Sequence, residues 1–180
     1  DALCGLARAH FGRGENAVSS NYYNKAIKLV DDLNIPEKTA DVYVQVAEYY
    51  RATSKYDYAL KYLNKVRFIV SKGKASPAAE MEMYSRLAAV YNEQNSHRDS
   101  IPLLSKTVIR LGKKYGDEHV IATAMNELGY YYSGINKSLS REYYEQAIAI
   151  WRKLNYSRYE AHCTLNLYRD HFDAYSIEEK

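Results

Sequence analysis

The chain has 180 residues, enough for a sizeable core, and its hydrophobic share of 47% is that of a globular rather than a disordered protein. Its net charge of +3 comes from Lys and Arg interleaved with Asp and Glu, not from a basic stripe of the kind that tracks a phosphate backbone, so no nucleic-acid partner is expected. No run of about 18 apolar residues occurs, so no membrane-spanning helix is predicted and no membrane contact is expected of this segment.

Only three prolines and eight glycines interrupt the chain, which favours long helices. The elements fall into units. The first, residues 1–36, reads Leu6-Ala7 and His10, then, past the polar turn Arg13-Gly14-Glu15-Asn16, Ser19, Tyr23 and Ala26. The second, residues 37–76, follows Pro36 and reads Val46-Ala47 and Tyr50, then, past Thr53-Ser54-Lys55, Ala59, Leu63 and Val66. The third, residues 77–117, opens at Ser76-Pro77 and reads Leu87-Ala88 and Tyr91, then, past Asn95-Ser96-His97, Ser100, Leu104 and Thr107. Pro102 falls early in the second helix of this unit, so that helix must start near Asp99 or Ser100 or be kinked. The fourth, residues 118–156, follows Gly112 and Gly116-Asp117 and reads Leu128-Gly129 and Tyr132, then, past Ser133-Gly134-Ile135-Asn136, Ser140, Tyr144 and Ala147. A partial fifth, residues 157–180, follows Asn155-Tyr156-Ser157 and supplies one helix through Cys163, Leu167, Tyr168 and Phe172.

The small residue of the first pair advances from 7 to 47 to 88 to 129, a step of 40, 41 and 41 residues. Within each unit the large, small and aromatic positions fall at i, i+1 and i+4, and the next small, bulky and small positions at i, i+4 and i+7. Both are helical periods, so each unit is two helices, and turns this short force them antiparallel. Ala7, Ala47, Ala88 and Gly129 admit the partner helix, whose Ser19, Ala59, Ser100 and Ser140 supply the facing gap. One hairpin cannot bury both of its faces, so successive hairpins are expected to stack. Tyr23, Tyr50, Tyr91, Tyr132 and Tyr144 are candidate core residues; Tyr22, Tyr49, Tyr130 and Tyr143 fall outside that set.

The pattern resembles the tetratricopeptide repeat, most closely from Ala47-Glu48-Tyr49-Tyr50 through Tyr56-Asp57-Tyr58-Ala59-Leu60. Four units over residues 1 to about 153 carry the resemblance, and Tyr168 stands where the fifth would have a small residue. The period exceeds the family's usual 34 or so, and is similar to that of kinesin-light-chain-type repeats and of bacterial sensory domains of this family. The resemblance implies one all-α domain, a right-handed solenoid of antiparallel hairpins. Beginning at Asp1 and stopping within a repeat, the chain is read as a piece of a longer protein.

The residues offer no constellation for catalysis. Adjacent His162 and Cys163 point about 100° apart on a helix and cannot chelate one ion, and His162 and His171 are too far apart for an i, i+4 pair, so no metal is expected. His10 reads as a packing residue with a polar tip, and His97 and His119 as solvated turn residues. Cys4 and Cys163 have no CxxC partner and suggest two free thiols, for which a cytoplasmic location is expected. Gly12-Arg13-Gly14 lacks the strand of a nucleotide loop, and Asp31-Asp32 and Glu178-Glu179 read as solvated. The chain is therefore read as a non-enzyme without a cofactor.

In the resembled family the first helix of each repeat lines a concave groove that holds a protein or peptide. By repeat position that groove takes in Arg8, Gln45, Glu48, Arg51, Arg86, Asn92, Asn126, Tyr130, Asn166 and Arg169. Only Arg86 matches the set that clamps carboxylate-terminal chaperone tails, so such tails are not expected. The leading expectation is a non-catalytic binding scaffold; the alternative is a sensory or regulatory domain of a bacterial signalling protein, such as a sensor kinase, transcription regulator or peptide-responsive phosphatase. The last helix, with Leu165, Leu167, Tyr168 and Phe172, is expected to present an apolar edge prone to self-association.

Overall fold

The computed structural model describes residues 2–175, with side chains through residue 171. The described residues form α1 (Ala2–Gly12), α2 (Asn16–Leu33), α3 (Pro36–Ala52), α4 (Tyr56–Ser71), α5 (Pro77–Glu93), a short 3-10 turn (Arg98–Ser100), α6 (Ile101–Tyr115), α7 (Glu118–Tyr132), α8 (Lys137–Lys153) and α9 (Ser157–Tyr175), with no strand among them. The chain is thus all-α, an array of helix hairpins. It divides into two compact units, Asp1–Arg86 and Leu87–Lys180, and α5 begins in the first and ends in the second. The side chain of Phe172 and the pair Glu178-Glu179 lie outside the described residues.

The helix ends follow from local chemistry. Pro36 stands in the first turn of α3 and Pro102 in that of α6, where a missing amide proton has no helical partner to lose. Asp117 and Asn136 accept from the amides of Val120 and Leu139, capping α7 and α8. Ser76 Oγ accepts from the Ala79 amide at the start of α5 and donates to Asp41 Oδ1 at 2.9 Å, fastening that start to α3. Gly116, at φ 74°, and Asn34, at φ 49°, end α6 and α2 in the left-handed region these residue types favour.

In the first unit α1 packs on α2 and α3 on α4, and α3 also meets α1 and α2. Ala7, Ala47, Ser19, Tyr23, Ala26, Ala59, Leu63 and Val66 are buried at the positions the repeat assigns. Leu6 is not; it is exposed, since among the described residues α1 has no neighbour on that side. The tyrosines also differ from expectation. Tyr50 is half-buried while Tyr49 enters the core, packing on Phe11 and Tyr23 and donating to the Asn16 carbonyl. Tyr50 lies flat on Tyr62 of α4, with centroids 5.8 Å apart, and His10 stacks on Tyr22 of α2 in the same way at 5.3 Å. The aromatic position of the first helix therefore seals the hairpin's flank rather than its centre.

In the second unit α7 and α8 approach closely at a glycine. Gly129 of α7 faces Tyr144 of α8, and Ser140 Oγ donates to the Gly129 carbonyl at 2.7 Å. Tyr144 forms a core with Ala122, Ala147, Ile148, Trp151 and Cys163, against which Met125, Ile150 and Leu167 pack. Tyr132 repeats the flank arrangement, half-buried and stacked on Tyr143 at 5.8 Å; Tyr91, also half-buried, stacks instead on His97. The third hairpin departs from the expected register by one residue. Ile101, Ser105 and Val108 are buried, whereas Ser100 is exposed and Leu104 and Thr107 are only half-buried. The cause is the 3-10 turn, which delays the start of α6 to Ile101.

Candidate binding surface

The groove residues inferred from the sequence lie on the first helices of the hairpins, and each unit arranges its own set. In the first unit Glu48 of α3 is the centre. Its carboxylate takes a two-pronged pair from Arg51 one turn on, at 2.8 and 2.9 Å, and lies 3.0 Å from Arg86 Nε of α5 in an ion pair whose N–H is not aligned as a hydrogen bond. Arg86 reaches Glu82 with its other prong at 3.0 Å. Burial pushes the Glu48 carboxyl upward, but the Arg51 hydrogen bond and the charges of Arg86 and Arg51 outweigh it and hold the group below its usual range. Gln45 donates to the Asp41 carbonyl one turn back, and Arg8 is exposed on α1. The result is a half-buried network of alternating charge on α3 and α5.

In the second unit three inferred residues are buried. Asn92 of α5 donates to the carbonyl and the carboxylate of Glu127 on α7, at 3.1 and 2.7 Å, and Asn126 of α7 accepts from Asn166 of α9 at 3.2 Å. With Glu48–Arg86, these contacts join first helices one repeat apart, because an amide or a charged fork satisfies a neighbour's buried polar group where a methyl group could not. Their role in the fold is to fix the spacing of the first helices.

Tyr130 and Arg169 stay accessible. Tyr130 is 39% exposed, with the Arg169 guanidinium 5.7 Å from its ring centroid. Arg169 Nε pairs with Asp170 Oδ1 at 3.0 Å, and Asp170 Oδ2 accepts from the phenol of buried Tyr144 at 2.7 Å. An exposed aromatic–arginine pair is thereby tied to the core of its unit. Sequence reasoning missed Glu127 and Arg98, which donates to the Tyr131 carbonyl at 3.0 Å and covers that ring; no spacing rule singles either out.

The chemistry-bearing side chains do not converge. Exposed His162 points away from Cys163, whose buried thiol faces the Tyr144 carbonyl at 3.7 Å and is pushed up to about 12 by burial. His171 is buried with Nε2 3.3 Å from Ser140 Oγ. His119 departs from the solvated turn residue expected: it lies in the first turn of α7, accepts from Trp151 Nε1 at 3.1 Å and touches the rings of Tyr156 and Tyr159. His10 pairs with Glu15. Among the described residues no three His, Cys, Asp or Glu are grouped to hold a metal, and no helix is long and apolar enough to cross a membrane. On α9 Leu165 and Tyr168 are exposed, whereas Leu167 packs on the core.

A search of curated proteins returned no match to the chain. A family model described as tetratricopeptide repeat matches residues 80–153.

Proposed function

We propose, from the premise that residues 80–153 are tetratricopeptide repeats, that the chain is a non-catalytic scaffold whose first helices bind a peptide or protein segment. Repeats of this family generally mediate protein–protein interaction and are generally not catalytic. The observation that carries the reading is the Tyr130–Arg169 pair: an accessible aromatic, covered by a guanidinium and braced through Asp170 to the buried Tyr144. Tyrosine and arginine are the residue types that most often anchor an interface, and a braced pair loses little freedom on binding. In the first unit, considered by itself, Gln45, Glu48, Arg51 and Arg86 would supply hydrogen bonds to a bound segment, with Arg8 at the rim.

Photo-crosslinking tests this. A benzoylphenylalanine placed at position 130 should trap a protein or peptide from an extract of the source cells. The same group at exposed Leu103 on α6 should trap none of it. Identical products from both positions would refute a binding face on the first helices.

A further inference from the structure

The first unit carries a pocket outside that network. Its walls are Tyr43 of α3 and Lys61, Asn64, Lys65, Phe68 and Ile69 of α4, around a volume of about 430 Å³. The α4 residues recur at i, i+3, i+4, i+7 and i+8, so one stripe of that helix forms the wall. The floor is held from both sides: the buried Tyr43 phenol donates to Asp31 Oδ1 of α2 at 2.5 Å and accepts from Lys65 Nζ at 3.4 Å. Lys65 Nζ also lies over the Tyr43 and Tyr62 rings, 4.8 and 5.3 Å from their centroids. Phe68 is 65% exposed in the interior of the helix, with Lys72 Nζ over its ring.

The interleaving of charge fails along α4, as it also does between Asp99 and Asp117 around α6, but on α4 the lysines line an apolar hollow. Residues 58–74 contain Lys61, Lys65, Arg67, Lys72 and Lys74 and no acidic residue. Among the described residues none of these five is ion-paired to a carboxylate, whereas Lys153 and Arg152 of α8 are paired to Glu118 and Glu160. Lys65 meets the Asp31 carboxylate only through the Tyr43 phenol, and Lys61 and Lys72 pair with no carboxylate among the described residues, so this apolar hollow and its rim lack both an apolar occupant and negative charge. A bare phosphate backbone or lipid headgroups would supply the charge alone; a peptide supplies both at side-chain scale.

We propose that this pocket docks an acidic peptide segment, one apolar side chain of which enters against Tyr43, Phe68 and Ile69 while carboxylates on either side of it meet Lys61, Lys65 and Lys72. This site is independent of the Tyr130–Arg169 surface.

The test uses the full chain and a series of fluorescein-labelled peptides, each with one Leu, Ile, Met, Phe or Trp flanked by glutamates, read by fluorescence anisotropy. At least one should bind saturably. Its alanine-centred form and its form with lysines for glutamates should not. Phe68→Ala should weaken it about tenfold or more, as loss of an apolar anchor does. Lys61→Glu should weaken it severalfold and flatten its dependence on salt, as loss of a rim charge does. Both side chains are exposed, and a thermal melt verifies that both variants fold. Lys106→Glu on α6 and Tyr130→Ala should leave binding unchanged, the latter keeping this result separate from that for the first helices. The proposal is overturned if no acidic peptide binds, if the alanine-centred peptide binds as tightly, or if Phe68→Ala has no effect. It is equally overturned if a single-stranded oligonucleotide or phosphatidylserine vesicles bind through Lys61 while the peptides do not.

Discussion

Replacing Gly129 by alanine sets local helix preference against packing. In the interior of α7 alanine should be favoured by about 1 kcal/mol on propensity alone, and the other three repeats carry Ala7, Ala47 and Ala88 at this position. The structure reverses that expectation. A Cβ on Gly129 would lie 2.6, 2.7 and 2.8 Å from Cδ1, Cε1 and Cγ of Tyr144, where carbon atoms prefer roughly 3.5–4.0 Å. The ring has little room to yield: Tyr144 is 0% exposed, its phenol is held by Asp170, and the Ser140 hydrogen bond to the Gly129 carbonyl sets the helix separation. Relief requires the helices to part by about 1 Å, and overpacking of this kind costs about 1–3 kcal/mol. Net of the helical gain, the variant should lose up to about 2 kcal/mol, or up to a few degrees in Tm for a domain of this size. The first hairpin has Ala7 and Tyr23 at the matching repeat positions, both buried, so the pairing of residue types is feasible where the helices sit differently. Trp151, the chain's single tryptophan, is buried in the same core as Tyr144, so its fluorescence in a urea titration reports this unit. In a Tyr144→Leu background, which puts at this repeat position the residue type that Leu63 has in the second repeat, the cost of Gly129→Ala should shrink. A higher urea midpoint for Gly129→Ala alone would refute the reasoning.

Tyr130→Ala should change stability by less than about 0.5 kcal/mol because the ring is exposed. Tyr132→Ala should cost about 1–2 kcal/mol, since it removes a half-buried ring stacked on Tyr143; the two melts compared in one buffer decide it, and a larger loss for Tyr130→Ala would displace the assigned binding face. Burial first, then the positive charge of Arg141 and, more weakly, that of Lys137, hold His171 below its ordinary value of 6.5 against the opposing charges of Asp170 and Glu145. The unfolded chain then binds that proton more readily, so the stability from neutral His171 is complete above about 6.5 and declines as pH falls through that value towards the folded one. Melts from about pH 8 to about pH 5 should show this decline, and His171→Gln should flatten it. Cys163, buried and with its thiol raised, should resist iodoacetamide in the native chain and react once urea unfolds it.

Helix periods and turn residues act over a few positions, so the hairpins, the starts at Pro36 and Pro77 and the small-residue approach at Ala47 and Gly129 were legible in the sequence by itself. So was the accessible Tyr130, because a residue two positions from a core residue points to the other side of a helix. The turn ahead of α6 was not legible. Whether Pro102 starts a helix directly or follows a 3-10 turn depends on conformations of nearly equal local energy, and that choice moved the buried set from Ser100, Leu104 and Thr107 to Ile101, Ser105 and Val108. The choice between Tyr49 and Tyr50 for the core was likewise open, since adjacent residues differ by only 100° and Phe11 and Tyr23 on other helices decide which is covered. The burial of Asn92, Asn126 and Asn166 and the pocket above Tyr43 rest on partners from other helices, in the asparagine pairs 35 and 40 residues away. Periodicity determines which side of a helix a residue occupies; what meets it there is decided only when the neighbouring helix packs, because a side chain's partner is set by distance in space.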